Sequence, residues 1–210
     1  MTSRDQPVRS PRKILLFSGH MIDAPGRRHP RFPPEKELIA AGAISMTLSR
    51  IDAGPSDLAI CGGACGGDLL FAEAALARGA TLELYIPFDE RTFLAKSVDF
   101  ADAHWRRRFF AAKRNARLHV LPVELGSLPT GEDPYERNNC WMLESSMRFG
   151  AEKIDFICLW DGRGGDGPGG TKHLMQEVRG KAGRIHWLDT NHLWHDLSAV
   201  QEGLHEKECD

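Results

Sequence analysis

Short apolar runs and stretches of helical period take turns along this chain from Lys13 to Leu188. Residues 13–17, 58–61, 81–86, 118–121, 154–160 and 184–188 are short and mostly continuous in their hydrophobicity, as strands buried on both faces are. Residues 35–51, 69–79, 92–98, 101–114, 135–149, 172–178 and 191–203 between and after them predict helices. In the first of these, Leu38, Ile39, Ala41, Ile44, Met46 and Leu48 are expected to form the packed face. Asp133 and Pro134 are placed as N-cap and first residue of the 135–149 helix. Strand–helix alternation with no long linker predicts one three-layer α/β domain. Its sheet is mostly parallel, of about six strands, with right-handed crossovers covering both faces. Residues 1–12 read as a flexible arm, 13–203 as the domain and 204–210 as a flexible tail.

Two breaks in this pattern are rich in glycine. Asp161-Gly-Arg-Gly-Gly-Asp-Gly-Pro-Gly-Gly-Thr171 has six glycines in eleven residues, between an apolar run and a helix. Cys61-Gly-Gly-Ala-Cys-Gly-Gly-Asp68 repeats the arrangement earlier in the chain. Such a turn gathers unpaired amides and the positive end of a helix dipole at one point, which suits a phosphate. Gly62, Gly63, Gly66 and Gly67 on one side, and Gly167, Gly169, Gly170 and Thr171 on the other, are therefore expected to hold a nucleotide-type ligand. Arg27, Arg28, His29 and Arg31 crowd the loop after the first strand, where open α/β sheets bind ligands.

Composition narrows the classes. With 210 residues, 41 % hydrophobic and 27 % charged, the chain can bury its own core. A net charge of −2 argues against bulk attraction to nucleic acid or an anionic membrane. Arg106–Arg108 is the one charge run that a single-stranded nucleic acid could use, and a solvated helix face is the plainer account of it. No apolar run is long enough to span a bilayer. Five cysteines without a disulfide-framework spacing imply reduced thiols and a cytoplasmic setting. Cys61-x-x-x-Cys65 and His192-x-x-His195 lack the further ligands of a metal site, so neither metal nor cofactor is expected. Trp141, Trp160, Trp187 and Trp194 could stack on a base, with core packing the commoner role.

The order of these motifs resembles the SLOG superfamily of Rossmann-like domains, and the Lonely Guy (LOG) proteins within it. Ile14-Leu-Leu-Phe-Ser-Gly19, Ala59 through Asp68, and the strand ending at Pro87 resemble the first half of such a domain. Tyr135-Glu-Arg-Asn-Asn139 and Gly167-Pro-Gly-Gly-Thr171 are similar to the arginine-bearing helix and Pro-Gly-Gly-x-Gly-Thr-x-x-Glu signature of the second half. The resemblance implies a nucleotide ligand, with Ser18, Gly19, Asp68, Pro87 and Asp161 beside the glycines in the binding site. It also implies, as the alternative to a sensor or binding module, a nucleoside 5′-monophosphate N-glycosidase or a deoxyribosyltransferase-like enzyme. Glu177 would be its carboxylate and Arg137 its positioning cation. A homodimer would fit the look-alike enzymes. Two positions depart from the pattern: Leu174 stands where the enzymes have glutamate, and Asn138 where they have lysine. Glu177 lies a helical turn beyond Leu174, about 4.5 Å along the axis.

Overall fold

The computed structural model describes residues 10–163, 171–181 and 183–195. Strands β1 (Ile14–Gly19), β2 (Leu58–Cys61), β3 (Thr81–Ile86), β4 (Ala116–Val120), β5 (Ile154–Trp160) and β6 (Arg184–Asp189) form one sheet in the order β4-β3-β2-β1-β5-β6. Every pairing is parallel. The helices are α1 (Glu37–Arg50), α2 (Gly67–Ala77), α3 (Glu90–Ser97), α4 (Ala103–Lys113), α5 (Leu121–Glu124), α6 (Pro134–Met147), α7 (Thr171–Lys181) and α8 (Thr190–Leu193). This is the single three-layer α/β domain that the alternation predicts.

The central strands are buried throughout because alternate side chains enter two different cores. Leu15 and Phe17 of β1 join Ile157 and Leu159 of β5 against α1, α2 and α4. Ile14 and Leu16 join Phe156, Cys158 and Trp160 on the opposite face, against α6 and α7. Asp133 accepts the amides of Tyr135 and Glu136 at 2.9 Å, capping α6 as expected. Asp89 and Asp102 cap α3 and α4 in the same way.

Four expectations need adjustment. The packed face of α1 is Ala40, Ile44, Thr47 and Leu48; Leu38 and Met46 are 84 % and 74 % exposed. An apolar residue on a helix marks a core position only when it shares the stripe of its neighbours. The fourth strand begins two residues early, and Leu121 starts the short helix α5, with Pro122 in its first turn where a missing amide does no harm. The last predicted helix is seen as Thr190–Leu193, ending at a turn through Trp194 and His195, and residues 196–203 fall outside the described residues. Of the predicted arm, Arg12 is tied down, its guanidinium on Asp57 at 2.9–3.0 Å and on Asp52 at 2.8 Å.

Candidate functional site

Strand order reverses between β1 and β5, since the chain runs outward from β1 to β4 before returning to β5 on the other side. Crossovers leave that edge in opposite directions, which opens a crevice at the carboxyl ends of the strands. A cleft of about 360 Å³ lies there. Ser18, Gly19, His20 and Met21 line it from the end of β1, Gly62, Ala64 and Asp68 from the turn into α2, and Pro87 from the end of β3. Tyr135, Asn138, Asn139 and Met142 reach it from α6, and Thr171 from the first position of α7.

On the β1–β5 side, the hydroxyls of Ser18 and Thr171 meet at 3.1 Å. Gly19 is close-packed, since a methyl there would touch Leu159 and Phe17 at 3.0 Å. His20 accepts the Asp161 amide at Nε2, 3.1 Å away, and the Asp161 carboxylate is 3.4 Å from the same nitrogen. Burial lowers the His20 pKa to about 4, outweighing the pull of Asp161. The imidazole is therefore neutral at physiological pH, with its proton on Nδ1. Asp161 also accepts the Arg163 amide.

The loop after β1 folds back on Asp23, whose carboxylate accepts the amides of Arg31 and Phe32 at 2.8 and 2.9 Å. This turn brings Arg31 to the cleft, while Arg27 pairs with Asp23 and Arg28 and His29 are exposed.

The first glycine turn is used differently from the expectation. Gly67 donates its amide to the His20 carbonyl, Cys65 donates to Ser97, and Met21 pairs with Gly66 in an isolated antiparallel bridge. Gly66 has φ +93°, and a Cβ there would lie 2.5 Å from the Ile22 nitrogen. Glycine at 66 lets two backbone segments cross. Gly63, at φ +75°, packs against Leu84 and Phe109 instead of lining the cleft. Gly62 does line it, beneath Asp68. That side chain accepts the Ala64 amide at 3.2 Å, and burial pushes its carboxyl up to about 7 against the pull of this bond. A carboxyl in this place is a poor neighbour for phosphate. Gly167, Gly169 and Gly170 of the second turn lie outside the described residues.

Arg137 and Glu177, expected from the motif resemblance, are not among the residues lining the cleft. Arg137 bonds the carbonyls of Leu125 and Ser127 at 2.9 Å, satisfying acceptors at the end of α5. Glu177 pairs with Lys181 one turn on at 2.8 Å. The charge run on α4 is also occupied. Arg108 binds Glu73 and Glu37 and lies 4.2 Å over Trp105, and Arg106 binds Asp99. Trp141 packs edge-on against Tyr85, whereas Trp160 reaches the cleft.

Sequence reasoning did not single out His20, Tyr135, Asn139 or Met142, and treated Asn138 only as a departure from a motif. One signal was present. Adjacent asparagines are poor residues for a helix interior, so a pair inside α6 needed a reason beyond helix formation.

No protein-family model matches the chain, and no curated protein matches it. Solved structures do resemble it. DNA processing protein A (DprA) from Streptococcus pneumoniae is 13 % identical with a TM-score of 0.37, over 88 % of this chain and 62 % of that one. The present chain thus spans less than two thirds of that structure. The structural-genomics target TM1055 is 14 % identical with a TM-score of 0.42, over 90 % of this chain and 99 % of the other. The Moco carrier protein from Chlamydomonas reinhardtii is 14 % identical with a TM-score of 0.34, over 94 % and 99 %. At these identities and TM-scores the likeness is a loose one of overall fold and extends no further. Among the described residues no helix is long and apolar enough to cross a membrane, and no cluster of three His, Cys, Asp or Glu is placed to hold a metal.

Proposed function

We propose that the cleft binds a nucleotide or nucleotide-derived ligand, and that the domain acts as a sensor or processing module for it. The observation that carries this reading is the opening at the reversal of strand order, with the first residue of an eleven-residue helix at its edge. Thr171 brings the positive end of α7 to the cleft, beside the Ser18 hydroxyl and with Arg31 among the lining residues. A phosphate sits there, on the β1–β5 side. Gly167, Gly169 and Gly170, which lead into the same helix, are its expected amide donors. Gly62 and Asp68 then face the rest of the ligand rather than its phosphate. Three strand spacings separate β5 from β3, about 14 Å, which gives room for sugar and base along the cleft.

The hydrolytic alternative has less support. An N-glycosidase needs a carboxylate near the anomeric carbon, and Glu177 is engaged with Lys181 outside the cleft lining. We assign no step to Glu177 or Arg137. Calorimetric titration with nucleoside monophosphates, cyclic nucleotides and dinucleotides tests the binding reading. Saturable heat with at least one of them is expected, and silence with all would remove it. Chromatography of adenosine monophosphate after incubation is expected to show no free base. Release of base that is lost in Glu177→Gln would restore the hydrolase.

A further inference from the structure

His20 stands just past the end of β1 and lines the cleft, with its side chain only 7 % exposed. Its Nε2 accepts the Asp161 amide at 3.1 Å, and a ring nitrogen that accepts cannot also carry a proton. That bond fixes one tautomer, neutral and with the hydrogen on Nδ1. Burial, which lowers the pKa to about 4, keeps the ring in this form. No group among the described residues accepts from Nδ1. Nor is this nitrogen enclosed, since it is not one of the buried polar atoms left without a partner. A ring so deeply buried is open where it borders the cleft.

Its neighbours indicate what that hydrogen meets. The ladder to β5 continues as far as His20, whose amide donates to the Leu159 carbonyl at 2.9 Å. Ser18 and His20 thus stand two apart on one face of the extended chain, about 6.5 Å along it. Ser18 is the residue whose hydroxyl meets that of Thr171, at the first position of α7. One of these hydroxyls donates to the other, which leaves the second with a hydrogen of its own to offer. The helix terminus, that hydroxyl and Nδ1–H are all donors bordering the same end of the cleft, and such a set suits an oxyanion. The Asp161 carboxylate is 3.4 Å from the Nε2 edge of the ring and is not among the residues lining the cleft. We infer that His20 donates Nδ1–H to a phosphate oxygen of the ligand, and so makes the site select a nucleoside monophosphate over the nucleoside. The inference rests on the reading of the cleft as a nucleotide site and names the side chain through which that site recognises phosphate. Because a backbone amide holds the tautomer, the donor is in place before the ligand arrives.

Two substitutions separate the two ring nitrogens. His20→Gln offers the Asp161 amide a carbonyl oxygen in place of Nε2 and has no donor near Nδ1. His20→Asn keeps an N–H near the Nδ1 position and gives up the acceptor. Calorimetric titrations of the full chain at pH 7 compare adenosine, guanosine, cytidine and uridine monophosphate, each with its own nucleoside. The best-bound monophosphate is expected to exceed its nucleoside by at least about tenfold. His20→Gln should weaken that monophosphate about tenfold, the worth of one hydrogen bond to a charged group, and leave the nucleoside within about twofold. His20→Asn should hold the monophosphate within about threefold. Unchanged monophosphate affinity in His20→Gln overturns the inference and leaves the nucleotide reading standing. So does an equal loss for nucleoside and monophosphate, which puts the donor on sugar or base, and so does binding confined to cyclic nucleotides or dinucleotides. Absence of binding by all of these compounds overturns both. Where a variant does not fold, the nitrogen-15 signal of His20 Nδ1–H in the unaltered protein decides. It should shift on saturation with the monophosphate and not with the nucleoside; an equal response to both, or none to either, overturns the inference.

Discussion

Asp68 makes a prediction that needs no ligand. Its carboxyl ionises near 3.8 in an unfolded chain and at about 7 in the folded one, because burial disfavours the charge. As pH rises from 3.8, the unfolded chain releases this proton while the folded protein keeps it. Stability therefore falls between those two values and stays low above them. Linkage puts the deficit at about 2 kcal/mol at pH 5 and about 4 kcal/mol at pH 8, a change of about 2–3 kcal/mol. Asn has nearly the same shape and no proton to lose, so Asp68→Asn abolishes the slope. Any packing cost of the amide, including its contact with the Ala64 amide, is the same at both pH values and cancels in the comparison. The advantage of the variant should therefore grow by about 2–3 kcal/mol from pH 5 to pH 8, roughly 5–10 °C in Tm for a chain of this size. Thermal melts or urea titrations of both proteins at the two pH values measure it. A difference that stays flat, or that moves in favour of the native residue as pH rises, would refute the reasoning.

Three further outcomes follow from the geometry. Gly66→Ala places a Cβ 2.5 Å from the Ile22 nitrogen at φ +93°, so urea denaturation should show a loss of about 3 kcal/mol or more, and a loss under about 1 kcal/mol contradicts the crossing described for these segments. Asp155 lies buried between Arg184 and His186, each at 2.8 Å; burial opposes its charge, but these partners hold its pKa below the usual range. Its stabilising contribution is thus full above the unfolded pKa and lost as pH falls through the folded one: Asp155→Asn should cost about 2–3 kcal/mol at pH 7, a gap that closes in strong acid. Thr171→Val removes the hydroxyl paired with Ser18 while keeping its bulk, and should weaken nucleotide binding about tenfold with a stability change under about 1 kcal/mol; unchanged affinity would move the phosphate elsewhere.

The fold was legible because its two periods are distinct. Runs such as Ile154–Trp160 bury every residue, and only a strand covered on both faces does that in seven residues. The position of the cleft was legible too, since strand ends and glycine turns mark one edge of a parallel sheet. Its chemistry was harder to read. Asn138 enters the site because α6 returns across the sheet and finds the Tyr85 carbonyl 53 residues earlier in the chain. Spacing in a sequence does not report such an encounter. Arg137 illustrates the converse: it sits beside a cleft-lining neighbour but turns to the carbonyls of 125–127, which the short α5 leaves without helical partners. Arg108 reads as solvated charge and instead ties α4 to α1 and α2 through Glu37 and Glu73.

The glycines carry the same lesson one step further. Equal clusters after two buried strands suggested equal roles, two cradles around one anion. In the structure Gly66 and Gly67 serve the crossing with residues 20–22, and Gly62 serves a carboxyl. A cleft built from two phosphate cradles would hold anions at both ends. One with Thr171 and a helix terminus on one side, and Asp68 on the other, is polar in a single direction. That asymmetry fits a ligand with a phosphate at one end and N–H donors at the other, and it gives a reason for the fold to keep a destabilising carboxyl: Asp68 opposes folding near neutral pH in the place where it can favour a ligand.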